Sequence, residues 1–347
     1  MINNKMSRIY IYLALPLVAI MAIILLFAFG GRDIELKKNS GGEKPKQVLN
    51  ENLSPISGLP CKDYKRRPFA VMLAEDEAAR PLSGLASADL VIEMPVMTDG
   101  MNRMMAVYVC GNPDEIGSIR SARHDFIPLA MGFDAIFAHW GGSHFSLDKL
   151  RSGLMDNIDA LIYSRSTFWR QTNIAAPHNG FTNIEKLYDK AEDLDYRLNN
   201  EFAGYKHRQP STDEEKSPAR LTIGYPGVHA VYWDYDPFTN AYSRWRNDQE
   251  EKDFNNKKQV SAKNIIVMRA ESHHLESQYN DVDIEGGGDA EYYLDGEVLT
   301  GTWSKEGKDK STKLFFYGED GKEVEFVPGQ IWIEVIEPGK KIIYEIN

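Results

Sequence analysis

The segment Met104-Met-Ala-Val-Tyr-Val-Cys110 is a run of seven apolar residues, which suits a buried strand and is short for a helix. Two similar runs, Phe69-Ala-Val-Met-Leu73 and Leu90-Val-Ile-Glu93, precede it. Proline and glycine residues bound these runs, as is typical of strands. The sequence therefore predicts three buried strands in this part of the chain.

Helices are predicted to accompany these strands at 121–131, 147–154 and 183–198. The last of them follows Thr182, a residue type that caps the amino termini of helices. A mixture of strands and helices makes residues 54–200 a mixed α/β amino-terminal domain.

The chain changes character after residues 201–219, a polar stretch with two prolines that we interpret as a linker. Beyond it, a hairpin is predicted around Pro237-Phe-Thr-Asn240, and Asp-Gly pairs at 295–296 and 320–321 predict two more turns. Residues 220–347 should therefore form a mostly antiparallel β domain. The predicted fold class of the whole chain is α+β.

Residues 9–29 (IYIYLALPLVAIMAIILLFAF) contain no charge and are long enough, as a helix, to cross the roughly 30 Å hydrocarbon core of a membrane. They predict a single-pass signal anchor, with tail 1–8 in the cytoplasm and the globular domains on the extracytoplasmic side. A cleaved secretory signal is the alternative, although its apolar part is usually about 7 to 15 residues long. The polar residues 30–53 are interpreted as a solvated spacer.

The formal charge is −11 for the chain and −13 without the first 30 residues, which contain Lys5 and Arg8 and no acid. Such a charge repels nucleic acid, so no nucleic-acid partner is expected. Cys61 and Cys110 are compatible with a disulfide or with two buried thiols, and the sequence leaves both open. Two cysteines are too few for a cysteine-built metal site, and we predict neither a metal nor a cofactor.

A candidate anion site lies in Gly117-Ser-Ile-Arg-Ser-Ala-Arg123, where two arginines stand three residues apart with Ser121 between them. We expect this segment at the start of a helix, where backbone N–H groups and arginine forks favour a carboxylate or a phosphate. The alternative is structural, with Arg120 and Arg123 paired to acids such as Glu93.

Two more segments contribute imidazoles and small residues. His139-Trp-Gly-Gly-Ser143 contains a glycine turn where backbone can approach a ligand, and Pro177-His-Asn179 lies on a loop before a predicted helix. We predict that these segments and neighbouring charged residues line one ligand-binding cleft, formed by Arg80, Glu93, Arg103, Arg120, Ser121, Arg123, His139, Gly141, Gly142, Ser143, His178 and Asn179.

The order of these motifs resembles the YerB-like family, bacterial proteins that are named as lipoproteins and have no established activity. The resemblance is carried by RPxSGLxxADxVxE at 80–93, Arg103-Met-Met-Ala-Val, IGSIRSAR at 116–123, HWGGS at 139–143 and APHN at 176–179. It extends to Pro328-Gly-Gln-Ile-Trp332 in the second domain. The resemblance implies a two-domain extracytoplasmic protein that is held at the membrane.

This sequence departs from the family pattern at several positions. Ala74-Glu75 replaces an Asp-Asn pair, Met97 replaces an acid, and His144 stands where the family usually has proline. The lipid-modified cysteine of a lipoprotein is also absent, so residues 9–29 would replace it as the anchor.

Two classes of function are compatible with these residues. The preferred one is binding, without turnover, of an anionic cell-envelope component such as a wall glycan, a teichoic-type phosphate or a peptide carboxylate. The alternative is a hydrolase or transferase, with His139 or His178 as acid/base, Ser121 or Ser143 as nucleophile, and arginines that stabilise an oxyanion. The sequence contains no nucleophile elbow and no His-Glu-x-x-His motif, which favours binding.

Aromatic residues of the second domain also allow two interpretations. Trp303 and Trp332 lie in apolar, turn-bounded segments and are predicted to be core residues. The hairpin aromatics could stack on a sugar, but packing within a β domain explains them with fewer assumptions; they are Tyr232, Trp233, Tyr235, Tyr242 and Trp245.

Overall fold

A computed structural model of the protein describes residues 52–97, 100–212, 215–306 and 312–347. The predicted anchor at 9–29 lies outside the described residues, as does nearly all of the predicted spacer. In the described part of the chain, no helix combines the length and the apolar composition that crossing a membrane requires.

A ten-stranded mixed sheet contains strands from both halves of the chain. In spatial order its strands are β19 (Phe315–Gly318), β18 (Glu297–Lys305), β17 (Gly286–Leu294), β14 (Asn264–Arg269), β20 (Ile331–Ile336), β2 (Leu90–Pro95), β3 (Asn102–Tyr108), β1 (Phe69–Leu73), β5 (Ile136–His139) and β6 (Asn157–Asp159). The three strands that the apolar runs predict are confirmed as β1, β2 and β3.

Seven of these strands point the same way, and all of them except β18 pair in parallel with a neighbour. β1, β5 and β6 pair in parallel, as do β2, β20 and β14, whereas β3 runs antiparallel to both β1 and β2. The residues that end or follow the six parallel strands therefore lie along one edge of the sheet, which we call the carboxyl edge. In sheets with parallel strands, ligands commonly bind beyond this edge.

A second, six-stranded sheet comes entirely from the carboxy-terminal half. It consists of β12 (Gln249–Glu250), β11 (Ala241–Arg246), β10 (Val231–Asp236), β9 (Ala219–Ile223) and β21 (Ile343–Ile346), with β13 (Ser261–Ala262) beside β11. The predicted hairpin is confirmed as β10 and β11, and the Asp295-Gly296 turn joins β17 to β18. The carboxy-terminal half is rich in β-structure, as predicted.

The remaining elements are short. A three-stranded sheet contains β4 (Ile116–Gly117), β8 (Gly180–Thr182) and β7 (Trp169–Arg170), and a separate hairpin contains β15 (Ser272–Glu276) and β16 (Tyr279–Val282). The described helices are α1 (Phe126–Gly132), α2 (His144–Arg151), α3 (Ala160–Tyr163) and α4 (Ile184–Asp193). The protein is thus mostly β with few helices.

The predicted helix bounds need correction. The first helix begins at Phe126 rather than at residue 121, because residues 118–123 bond to strand ends instead. The last helix ends at Asp193, and its cap is Asn183 rather than Thr182, since the Asn183 side chain accepts a hydrogen bond from the Lys186 N–H. Local propensity therefore located the helices but not their ends.

The core lies on both faces of the ten-stranded sheet. Along β1, Ala70 and Met72 face one side, which α1 covers, and Val71 faces the other, which the six-stranded sheet and α4 cover. Burial on both faces explains why these strands are continuous apolar runs rather than alternating ones.

Cys61 and Cys110 form a disulfide across 49 residues of sequence, which resolves the two alternatives that the sequence left open. Asp89 holds the same region, since its carboxylate accepts hydrogen bonds from the Val109 and Cys110 N–H groups. The bond ties the segment that precedes β1 to the residues that follow β3.

Trp303 and Trp332 are buried, which confirms the prediction that they are core residues. Trp332→Ala should lower the free energy of unfolding by about 3 to 5 kcal/mol, because the large cavity cannot be refilled. Trp245→Ala is the control, since Trp245 is only half-buried and stacks on Tyr232 at 5.6 Å. Equal losses for the two variants in urea unfolding would contradict this assignment.

Candidate functional site

Residues 118–123 cross the carboxyl edge as extended backbone. The Arg120 N–H donates to the Met72 carbonyl at the end of β1, and the Arg120 carbonyl accepts from the Trp140 N–H beyond β5. The expectation that this segment starts a helix is therefore wrong, and no helix N-terminus contributes to an anion site here. The strand ends position the arginines instead.

Arg120 and His178 meet at Asp76, which follows β1. The Asp76 Oδ2 lies 3.4 Å from the Arg120 Nε and 3.8 Å from the His178 Nδ1. None of these three atoms has a hydrogen-bond partner, although all three are buried. The structure thus brings together two of the predicted site residues around an acid that the sequence did not single out.

Arg103 and Arg123 are close enough to Arg120 for their charges to interact. Arg103 starts β3 beside the end of β1, is 3% exposed, and donates from Nη1 to the Ser121 carbonyl at 3.2 Å. Burial, together with repulsion from Arg123 and Arg120, lowers the pKa of Arg103 to about 9. We call Arg103, Arg120 and Arg123 the arginine cluster.

The arginine cluster is poorly neutralised. The Nε atoms of all three residues are buried without a hydrogen-bond partner. Among the described residues, Asp76 alone places a carboxylate within 4.0 Å of any of the three guanidiniums. Arg123 instead stacks over the Tyr279 ring, at 5.2 Å from the ring centroid. Buried polar groups are normally paired, so unpaired donors on three neighbouring cations are unusual.

His139 does not join this cluster. It is fully buried, and its Nδ1 and Nε2 atoms lie 2.8 Å from the Gly141 carbonyl and 3.3 Å from the Asn157 Oδ1. No described contact joins His139 to Arg120, Arg123 or His178. In a strand, His139 points into a covered face of the sheet rather than to the edge.

The turn after His139 has structural contacts. Gly141 has φ +62° and donates its N–H to the Asp159 carboxylate at 2.8 Å. A side chain at Gly142 would begin 2.4 Å from the Ser146 Oγ. Ser143 caps α2, because its Oγ accepts from the Ser146 N–H. The backbone of this turn contacts the segment that carries Arg120 and Arg123, and the turn presents no free hydroxyl there.

Asn179 holds the loop that carries His178. Its side-chain amide donates to the Gln171 carbonyl at 3.1 Å and accepts from the Arg170 Nη1. The Arg170 guanidinium lies 4.1 Å above the Trp140 ring, so the loop is fixed beside the end of β5. The role of Asn179 is to position its neighbour.

Comparison with known proteins identifies the family. Residues 56–197 match the model described as "Protein of unknown function (DUF3048) N-terminal domain", and residues 221–333 match "Protein of unknown function (DUF3048) C-terminal domain". The chain belongs to the DUF3048 family.

A relative and a solved structure support this assignment and confirm the YerB-like resemblance. The chain is 32% identical over 292 residues to the Bacillus subtilis (strain 168) protein named "Putative lipoprotein YerB", across 82% of this chain and 86% of that protein. The crystal structure of YerB protein from Bacillus subtilis matches with a TM-score of 0.76 and 29% identity, covering 84% of this chain and 99% of that one.

Glu93 and Arg80 belong to a different cluster, where the two DUF3048 domains meet. The Glu93 carboxylate accepts from Arg244 and from the Arg246 Nη2, the latter at 2.7 Å, and Arg80 donates to Glu75 at 2.7 Å. Glu93 therefore pairs with neither Arg120 nor Arg123. We call the buried members the ion network: Glu75, Glu93, Arg244, Arg246, Glu251 and Glu334.

The ion network lies between the two sheets. Glu93 is on β2 and Glu334 on β20, whereas Arg244 and Arg246 are on β11. Arg80, at the rim, helps line a cavity of about 410 Å³ with Arg246 and other residues. This cluster was not evident from the sequence, because its pairs are up to 171 residues apart.

Glu334 is the least compensated acid of the ion network. Burial raises its pKa to about 7, and its Oε2 has no hydrogen-bond partner. Its Oε1 accepts from the Arg244 Nη1 at 2.5 Å and from the Trp233 Nε1 at 2.9 Å. Glu93 faces both arginines, which hold its pKa below the usual value against the effect of burial. Glu334 is therefore the acid of the ion network whose pKa is raised towards neutrality.

Replacing Glu334 and replacing Glu93 should have opposite effects on the free energy of unfolding at neutral pH. The folded-state pKa of Glu334 is raised, so its contribution to the free energy of unfolding is complete below about pH 4.5 and is lost as the pH rises through about 7. The loss amounts to at most about 3 kcal/mol. Glu334→Gln should remove this loss and keep the fold. Glu93→Gln should cost about 3 to 5 kcal/mol, since it leaves buried cations unpaired.

Urea unfolding of both variants and the native protein between pH 5 and pH 8 measures the difference. A Glu334→Gln protein as unstable at pH 7 as the Glu93→Gln protein would show that both acids are ionised.

Proposed function

We propose that this protein is held at the membrane by residues 9–29 and that its arginine cluster, with His178, binds the anionic group of a cell-envelope component. The observation that carries the proposal is the set of three buried Nε donors without a partner. A phosphate or a carboxylate offers several acceptor oxygens, and arginine forks bind both groups.

The electrostatics of the arginine cluster favour a bound anion over an internal salt bridge. Asp76 supplies one negative charge to three guanidiniums, and its contacts to Arg120 and His178 are longer than hydrogen bonds. Repulsion between the arginines contributes to the lowered pKa of Arg103. An incoming anion would relieve that repulsion and restore hydrogen bonding to the buried donors.

Two of the four residues that the catalytic alternative names are engaged elsewhere in the fold. Ser143 caps α2, and both ring nitrogens of His139 face acceptors inside the fold. His178 and Ser121 remain near the arginine cluster, but no described contact pairs them as base and nucleophile. The geometry therefore supports binding better than hydrolysis or group transfer.

Two observations support a location outside the cytoplasm. The disulfide between Cys61 and Cys110 is of a kind that persists in oxidising compartments. The relative from Bacillus subtilis is named as a lipoprotein, and residues 9–29 supply an anchor where this chain lacks a lipid-modified cysteine.

Protease treatment of intact cells or spheroplasts tests the topology. Protease should degrade the globular part, because residues after 32 would be exposed outside the membrane. A cytoplasmic marker must stay intact and an external marker must be cut. Protection of the globular part under these conditions would contradict export, and a mature chain that begins near Gly31 would indicate cleavage.

Binding of anions by the purified protein tests the site. Arg120→Ala should weaken binding of inorganic phosphate, or of a muropeptide carboxylate, by roughly tenfold to a hundredfold, since a charge-assisted hydrogen bond contributes about 1.5 to 3 kcal/mol. Arg151→Ala is the matched control, because Arg151 is a highly exposed arginine of α2 that pairs with Asp148. Titration calorimetry with both ligands measures the difference and shows which anion is preferred.

The stability of the Arg120→Ala protein separates the two explanations. If the arginine cluster exists for a ligand, this variant should unfold at the same urea concentration as the native protein, or at a higher one. A large loss of stability, together with unchanged anion binding, would assign Arg120 to a structural salt bridge with Asp76.

A further inference from the structure

A second cluster lies beside the arginine cluster, on the next residues of the chain. The His124 Nε2 lies 3.1 Å from the Asp125 Oδ1 and 3.0 Å from the Asp281 Oδ1. His124 and Asp125 are buried where the chain enters α1, and Asp281 comes from the β15–β16 hairpin. One ligand atom from each residue lies within 4.8 Å of the other two.

Hydrogen bonds alone account poorly for this arrangement. An imidazole presents one N–H at Nε2, yet two carboxylates face it, and the His124 Nδ1 is buried without a partner. The Asp125 Oδ1 and the Asp281 Oδ1 both lie within about 3.1 Å of this one nitrogen. Two carboxyl groups and an imidazole held together in this way require a proton or another cation between them.

The separations match the spacing of metal ligands. Two ligand atoms about 2.1 Å from one ion lie about 3.0 Å apart at right angles and about 3.4 Å apart in a tetrahedron. We propose that His124, Asp125 and Asp281 bind a divalent first-row transition-metal ion. Metal binding would replace the protons that the cluster otherwise holds.

The surroundings favour a cation. A cavity of about 350 Å³ adjoins the cluster, and Asp283 and Glu285 also line it, so four carboxylates face this space. Lys149 is the one lysine or arginine in the described lining. The cavity leaves room for water molecules to complete the coordination of an ion that has three protein ligands.

The ligand set indicates the class of metal. One imidazole nitrogen with two carboxylate oxygens suits Zn²⁺, Mn²⁺ or Fe²⁺, whereas Ca²⁺ and Mg²⁺ prefer sites made only of oxygen ligands. This proposal does not depend on the anion site, since none of its three ligands belongs to the arginine cluster. Either proposal can therefore fail alone.

Calorimetric titration of the full chain in detergent, after dialysis against a chelator, tests the metal site. Zn²⁺ or Mn²⁺ should bind with one ion per chain and raise the melting temperature, because the ion binds the folded state. Asp281→Asn should weaken binding at least tenfold, and its partly exposed position should preserve the fold. Asp125→Asn should also weaken binding at least tenfold, because a neutral amide would replace one of the two carboxylate ligands.

His273→Gln is the matched control. His273 lies on the same hairpin as Asp281 and pairs with Asp283 at 3.2 Å, but both side chains are more than half exposed. Its replacement should leave the affinity for Zn²⁺ or Mn²⁺ unchanged. The proposal would be overturned if neither metal bound the native protein or if only His273→Gln lost binding. It would also be overturned if Ca²⁺ bound in preference to both transition metals.

Discussion

The burial of Arg244 between the two DUF3048 domains constrains the rest of the fold. Its guanidinium lies 4.7 Å from the Trp233 ring and 4.2 Å from the Trp332 ring, and it binds the carboxylates of Glu93 and Glu334. A buried charge is tolerated only when its partners are present, and removal of one partner from such a pair is costly. Glu93 comes from the amino-terminal domain, whereas Glu334 comes from the same half of the chain as Arg244, so one guanidinium is shared between the two domains. The ion network therefore links the packing of the six-stranded sheet to that of the ten-stranded sheet.

The two charged clusters near the carboxyl edge differ in how completely they are neutralised. Side chains alternate between the two faces of the ten-stranded sheet. On β2, Glu93 lies opposite Met94 and faces the six-stranded sheet. On β3, Arg103 lies on the same face as Met105, which is the other face of the sheet. In the ion network, each buried arginine contacts at least two carboxylates. In the arginine cluster, Arg120 alone lies within 4.0 Å of a carboxylate of the described residues, that of Asp76. This difference in pairing distinguishes a structural contact from a candidate binding site.

The sequence predicts what depends on near neighbours. The three apolar strands, the β10–β11 hairpin and the burial of Trp332 follow from runs and turns of a few residues. The start of α1 was misplaced because residues 118–123 find backbone partners at the ends of β1 and β5, which a local pattern does not contain. The order of motifs likewise singled out Arg120 and His178. It did not single out Asp76, because the position of Asp76 between them depends on how three strand ends come together. The sequence also did not indicate that the ring nitrogens of His139 face acceptors inside the fold, because Asn157 is 18 residues away along the chain.

The β15–β16 hairpin connects the two candidate sites physically. Tyr279 and Asp281 are two residues apart on β16 and therefore face the same side of the strand. Tyr279 lies under the Arg123 guanidinium and Asp281 beside the His124 ring, so one strand face contacts consecutive residues of the segment that precedes α1. A shift of this hairpin would move a contact of both clusters at once. A metal ion bound at Asp281 would fix the hairpin and, with it, the aromatic ring beneath Arg123. The affinity for an anion would then depend on the metal through geometry as well as through charge.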